Sequence, residues 1–194
     1  MIVIDGTAAD EKTLLFVSAI DSEGKTTLAL HLAAMLATRG KRILLADVHW
    51  QRPRLGRVLG VSERPGLTDL FETGGRPEDV LVQDARLPLL FVLPRGTRKL
   101  DLVRGVEERM ATILASAREA FDFVLLDGAP AASGPEVLFL NRLVDGVVLV
   151  VACDRTQQTQ VAAARHTVEQ HAGKLVGVIL NRVPRYLPDY YRTV

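Results

Sequence analysis

Short apolar runs recur along this chain, and stretches with helical spacing stand between them. The runs are Leu14–Ala19, Ile43–Asp47, Leu89–Leu93, Phe123–Asp127, Val147–Val151 and Leu175–Leu180. Each is apolar at successive positions, mostly Val, Leu or Ile, instead of alternating with polar residues. A strand with one wet face alternates, whereas a strand of a parallel sheet covered on both faces does not. Helical patterns fall at Lys25–Arg39, Val103–Glu119, Pro135–Leu143 and Thr156–His171, and Gly40 is placed to end the first of them. The stretch Gln51–Arg86 is less regular and rich in Arg, Gly and Pro, with one short helix expected at Leu67–Glu72. This alternation predicts a single α/β domain with a mainly parallel, doubly wound sheet and helices on both faces. The length, 194 residues, suits one such domain with a sizeable core. Ligands of such sheets bind at the carboxyl ends of the strands, so chemistry is sought there.

The first run leads into Ile20-Asp21-Ser22-Glu23-Gly24-Lys25-Thr26-Thr27 and then into an Ala/Leu-rich helix. A strand, a tight turn of inward N–H groups and a helix start aimed at phosphate make up a P-loop. Gly24 lets the backbone approach phosphate closely, and Lys25 supplies a point charge to the β and γ phosphates. Thr26 offers a hydroxyl to Mg²⁺, Thr27 lies near an α-phosphate, and Ser22 and Glu23 complete the loop. The expected ligand is Mg-ATP. The strict pattern asks for Gly at position 19, where this chain has Ala19. The competing reading is a chance Gly-Lys-Thr at a helix start with Ser22 as its cap.

The runs Ile43–Asp47 and Phe123–Asp127 both end in a carboxylate. An apolar strand ending in Asp is the usual second signature of a P-loop protein, where the carboxylate orients Mg²⁺ against the phosphates. Either Asp alone also fits a strand cap or a turn. Together with Lys25 and Thr26 they point to one edge of one sheet.

The bulk properties narrow the partners. A formal net charge of +1 gives no field that argues for nucleic acid or an anionic membrane. No apolar run approaches the roughly 20 residues that span a bilayer, so direct membrane insertion is not expected. Met1–Lys12 lacks a basic region followed by an apolar stretch, which leaves a cytoplasmic location as the default. The one cysteine, Cys153, cannot form an internal disulfide and reads as a small buried hydrophobe.

Several segments now line up. They are Leu44-Leu45-Ala46-Asp47-Val48-His49-Trp50-Gln51-Arg52-Pro53, Gly66-Leu67-Thr68-Asp69-Leu70, Phe91-Val92-Leu93-Pro94-Arg95-Gly96, Phe121–Pro130, Val144–Val151 and Gly177-Val178-Ile179-Leu180-Asn181-Arg182-Val183. In order and spacing they resemble the bacterial tyrosine kinases, the CpsD/CapB-type ATPases of capsule and exopolysaccharide synthesis within the MinD/ParA branch of P-loop proteins. The resemblance runs from Leu14 to Val183. Ile20 stands where ParA and MinD relatives carry a signature lysine, and Glu23 before Gly24 looks like the kinase branch.

The resemblance implies a tyrosine autokinase with Lys25, Asp47 and Asp127 as its catalytic residues and Thr26, Asp47 and Asp127 at Mg²⁺. It implies that Asn181 contacts adenine. It divides the chain into an ATPase domain, residues 1–183, and a tail, residues 184–194, whose Tyr186, Tyr190 and Tyr191 are the phosphoacceptor candidates. An amphipathic tail docking its rings on the body or on a partner is the other reading of those tyrosines. A membrane adaptor of the polysaccharide co-polymerase type is the implied partner, with recruitment to the inner face of the membrane. A homo-oligomer is also open to the chain, although the family's Glu/Arg motif upstream of the P-loop is not seen, which argues against its usual ring.

The family's Asp-x-Asp-x-Arg motif starts at Asp47, but His49 and Gln51 replace its second Asp and its Arg. His49 reads as a neutral hydrogen-bonding substitute, a weaker base, a mark of lost phosphotransfer, or a plain surface-loop histidine. The last two keep a second function open: an ATP-binding switch of a polysaccharide export complex without kinase activity. A ParA/MinD-type positioning ATPase is a third reading, against which Ile20 counts. Arg52, Arg54 and Arg57 read as a solvated basic loop or as a surface for phosphate or an acidic partner. Trp50 reads as packing, or as a platform for adenine or a partner.

Overall fold

The computed structural model describes residues 11–99, 105–133 and 135–184. Its strands are β1 (Thr13–Ser18), β2 (Ile43–Asp47), β3 (Val82–Gln83), β4 (Leu90–Leu93), β5 (Phe123–Pro130), β6 (Gly146–Ala152) and β7 (Leu175–Asn181). The helices are α1 (Lys25–Thr38), α2 (Leu55–Leu59), α3 (Leu67–Thr73), α4 (Val106–Ala120), α5 (Pro135–Leu143) and α6 (Gln158–Gln170). The strands form one seven-stranded sheet in the order β3-β4-β2-β5-β1-β6-β7. Every pairing is parallel except β3 with β4.

The continuous apolar runs are explained by two cores, one on each face. On β1, Leu15 and Val17 enter one core while Phe16 enters the other. On β2, Leu44 and Ala46 face the first and Ile43 and Leu45 the second. The period-2 alternation of side chains therefore distributes each strand between two apolar layers. Helices α3, α4, α5 and α6 build the first core, and α1 and α2 the second. Helix α1 lies close to the sheet because Ala29, Ala33 and Ala37 recur every fourth residue on its inner side, all of them buried. Gly40, with φ 82°, follows the cap residue Arg39 and carries the chain out of the helix.

The structure departs from the sequence reading in four places. Strand β3 and helix α2 lie inside the stretch read as irregular; with two and five residues, neither is long enough to show a period. Strand β5 runs past Asp127 to Pro130, across an irregularity in its pairing with β1 between Phe16 and Ser18. Gly128 permits this close passage, since a Cβ there would lie 2.9 Å from the carbonyl oxygen of Phe16. Helix α4 starts at Val106, and residues 100–104 lie outside the described part. Finally β7, expected to be covered on both faces, is an edge strand that keeps Val178 and Leu180 about half exposed.

Candidate nucleotide site

The sheet order puts β1 between β5 and β6, with β2 on the far side of β5. The carboxyl ends of β1, β2 and β5 therefore converge, and the register sets Asp47 directly beside Asp127. The loop after β1 opens into α1 at the same edge. Ser22 (φ 64°) and Gly24 (φ 96°) both adopt left-handed backbone, which curls successive N–H groups into a concave turn ahead of the free N–H groups of α1. Gly24 is required twice over. Its φ disfavours a side chain, and a Cβ would sit 2.3 Å from the Asn181 amide nitrogen.

The loop is clamped from behind by Glu23, whose side chain is fully buried. One carboxylate oxygen accepts the N–H of Ile20 at 2.8 Å, and the other accepts the N–H of Ala152 at 2.8 Å together with the Thr156 hydroxyl. The Asn181 amide donates to the Glu23 carbonyl at 2.7 Å. The side chain of Glu23 thus faces the β6–α6 loop, and Asn181 supports the loop at its back.

On the open side, Lys25 Nζ donates to Ser18 Oγ at 2.7 Å, and burial lowers the lysine pKa against the pull of Asp127, Asp21 and Glu23. The Thr26 hydroxyl donates to Asp127 Oδ2 at 2.6 Å. The other oxygen of Asp127 is buried with no partner among the described residues. Burial pushes the Asp127 pKa up to about 6, with Thr26 and Lys25 opposing. Asp47 is pushed up to about 7 by burial and then by Asp127. Its two oxygens accept the N–H groups of His49 (3.2 Å) and Leu55 (3.1 Å), so it anchors the following loop and starts α2. His49 is 8% exposed, which removes the surface-loop reading. It lines the same cavity as residues 21–27, and burial followed by Lys25 presses its pKa down to about 4, leaving it neutral at pH 7.

The cavity of about 180 Å³ above the loop is also lined by Arg54 and Arg182. The basic cluster divides. Arg54 donates to Ser22 Oγ at 2.8 Å and Arg52 pairs with Asp21 at 3.0 Å, while Arg57 faces a separate cavity beside Asp47. Two of the three arginines therefore reach the phosphate loop instead of forming a plain solvated patch. Trp50 packs as core, with its ring centroid 5.8 Å from that of Phe71 and 5.6 Å from that of Phe139, which removes the adenine and partner readings. Tyr186, Tyr190 and Tyr191 lie outside the described residues. Cys153, read as buried, is part-exposed. Sequence reasoning missed Ser18, Ala152, Thr156 and Arg182 as site components, and had Arg54 only as one of a basic cluster open to phosphate. Arg182, next to Asn181, stood beside a flagged ligand residue.

These residues fit a magnesium nucleotide. The concave N–H turn suits phosphate, and the orphaned Asp127 oxygen beside the Thr26 hydroxyl suits a hydrated Mg²⁺ ion. Bound there, such an ion would offset phosphate charge.

Comparison with known proteins agrees with this geometry. Residues 15–188 match the model of the CobQ/CobB/MinD/ParA nucleotide binding domain. The chain is 29% identical over 171 residues to the tyrosine-protein kinase YwqD of Bacillus subtilis, covering 88% of this chain and 72% of that one. It is 32% identical over 179 residues to the succinoglycan biosynthesis transport protein ExoP of Rhizobium meliloti, covering 90% of this chain but only 22% of ExoP. The fold superposes on the VpsO kinase domain with a TM-score of 0.81 at 26% identity, covering 92% of this chain and 88% of that one. No helix among the described residues is long and apolar enough to cross a membrane. By its matched residues and its fold, the chain belongs to the CobQ/CobB/MinD/ParA nucleotide-binding domain family, and its relatives include bacterial tyrosine-protein kinases.

Proposed function

We propose that this protein binds Mg-ATP and transfers the γ-phosphoryl group to tyrosine hydroxyls, its own Tyr186, Tyr190 and Tyr191 among them, as a CpsD/CapB-type regulator of polysaccharide synthesis. The observation that supports this most is the pairing of Thr26 with Asp127 beside the buried Lys25, within a P-loop that is itself clamped by Glu23. Phosphoryl transfer asks little covalent chemistry of the protein and depends on positioning and charge neutralisation. Lys25 and the loop N–H groups would hold the β and γ phosphates, Thr26 and Asp127 would hold the metal, and Asn181 would lie near the base. Asp47, raised to about 7, is able to take a proton from an acceptor hydroxyl. The domain, residues 1–183, would act with a membrane adaptor of the polysaccharide co-polymerase type that brings it to the inner face of the membrane.

One observation favours a second reading. His49, neutral and buried, stands where the related kinases have a carboxylate, which suits an ATP-binding switch without phosphotransfer. Intact mass of the protein before and after Mg-ATP, beside Lys25→Met, separates the two. Phosphate on the tail tyrosines, absent in the variant, supports the kinase. ATP binding without phosphate, even with the adaptor's cytoplasmic tail added, supports the switch. Unchanged ATP affinity in Lys25→Met would remove both.

A further inference from the structure

The sheet face that carries α1 is left open toward β7. There a groove of about 350 Å³ runs between the helix and the sheet, lined by Leu14, Phe16, Leu28, Leu32, Val148 and Val176. Met35, which also lines it, is 41% exposed. Glu11 and His31 are the only ionisable groups in its lining among the described residues. A concave apolar surface of this size is normally covered by something.

We propose that the groove is the seat of the chain's own opening residues, Met1-Ile2-Val3-Ile4. The first reason is where the described chain starts. Glu11 itself lines the groove and is 7% exposed, held by Lys174 Nζ at 2.7 Å. Asp145 then accepts the N–H groups of Lys12 and Thr13 and fixes the entry into β1. The described chain therefore starts at the groove's own lip. The second reason is reach. The segment Asp5–Asp10 spans at most about 20 Å, and the lining of α1 from Leu28 to Met35 is about 10 Å long. The third is chemistry. Met1–Ile4 is an uninterrupted apolar run with three β-branched residues, ended by Asp5-Gly6. In extended backbone Ile2 and Ile4 point the same way, so two aliphatic side chains enter together.

The tail is the rival occupant, and its point of departure favours it less. It leaves from Pro184 beyond the carboxyl end of β7, whereas the groove lies along Leu14 and Phe16 of β1 and Phe123 and Leu125 of β5, near the strands' amino ends. It would also bring Arg185, Asp189 and Arg192 to an apolar surface. The seated segment would brace α1, whose first residues are Lys25, Thr26 and Thr27, and so stiffen the phosphate site from the far end of the same helix.

The proposal does not depend on whether the protein is a kinase. It is tested by thermodynamic coupling in the full chain, with Ile4→Asp and Met35→Glu made singly and together. Met35 lies on the exposed rim of α1 and belongs to neither core. Ile4→Asp should lower the urea midpoint by roughly half a molar, and should lower it little further once Met35→Glu is present. An unchanged midpoint in Ile4→Asp, or full additivity of the two, would overturn the idea. Disulfide trapping in a Cys153→Ser background then identifies the occupant. Ile4→Cys with Met35→Cys should close within one chain at least tenfold faster than Tyr190→Cys with Met35→Cys. Faster closure from position 190, or a bond between two copies, would assign the groove to the tail or to a second molecule instead.

Discussion

Glu23→Gln should destabilise the protein and loosen the phosphate loop, although the change adds no bulk. The Glu23 carboxylate accepts three hydrogen bonds in a fully buried site, from the N–H groups of Ile20 and Ala152 and the hydroxyl of Thr156. A glutamine has one acceptor oxygen and one donor group. If its oxygen keeps Ala152 and Thr156, its NH₂ meets the N–H of Ile20, and two donors face each other where the present separation is 2.8 Å. If it turns over, the conflict moves to Ala152. Either way one buried backbone donor is left unsatisfied, which costs about 1–3 kcal/mol. For a domain of this size that is a fall of roughly 2–12 °C in Tm. Urea unfolding should show a lower midpoint with the slope unchanged, and calorimetry should show weaker Mg-nucleotide binding. Thr156→Val frees one carboxylate bond only and should cost about 1 kcal/mol. A Gln variant with unchanged midpoint and unchanged affinity would refute the clamp.

Three further outcomes follow from the site and its surroundings. Asp127→Asn removes a desolvated carboxylate whose pKa is raised to about 6, so the unliganded protein should be as stable as before or more so at pH 7.5, while Mg²⁺-dependent nucleotide affinity falls about 10–100-fold. Thermal melts with and without Mg-nucleotide test both halves, and a stability loss without ligand contradicts them. Asp47 and Asp127 have folded-state pKa values of about 7 and about 6, above the ordinary 3.8, so the native state holds more protons than the unfolded chain between about pH 4 and about pH 7. His49, lowered from 6.5 to about 4, opposes this with one group against two, so unliganded stability should still fall as pH rises through that window, and denaturation midpoints that climb instead would reverse the assignment. Trp50→Ala vacates a site packed between Phe71 and Phe139 and should cost about 3–5 kcal/mol in urea unfolding. A cost below about 1 kcal/mol would return Trp50 to a surface role.

The fold was legible where its physics is local. Strands buried on both faces must be apolar throughout, and a phosphate loop must place Gly24 and Lys25 between a strand and a helix, so β1, β2, β5, β6 and α1 could be read directly. Elements β3 and α2 were not legible, because their lengths carry no period and α2 starts on a hydrogen bond from Leu55 to Asp47. Asp127 and Thr26 were foreseen and lie together. Glu23 was flagged as a loop residue, but nothing near it in sequence says that its carboxylate is spent on Ala152 and Thr156, at the end of another strand. Trp50 was ambiguous because packing on Phe71 and Phe139 is a long-range fact. The exposure of β7 was missed for the same reason, since an apolar run does not reveal that its strand ends the sheet.

The contact between Gly24 and Asn181 bears on how this sequence can drift. The space above Gly24 is filled by an amide from a residue near the far end of the domain, with 2.3 Å to the place a methyl group would take. A side chain at 24 would therefore demand a change at 181 as well. A small residue at 181 would relieve the collision but also withdraw the hydrogen bond to the Glu23 carbonyl, and the left-handed backbone at 24 would still penalise any side chain. Among descendants that keep the loop, glycine at 24 should therefore persist, and asparagine at 181 should give way only to a residue that still donates to the Glu23 carbonyl. A chain with a side chain at 24 is expected to have given up its nucleotide.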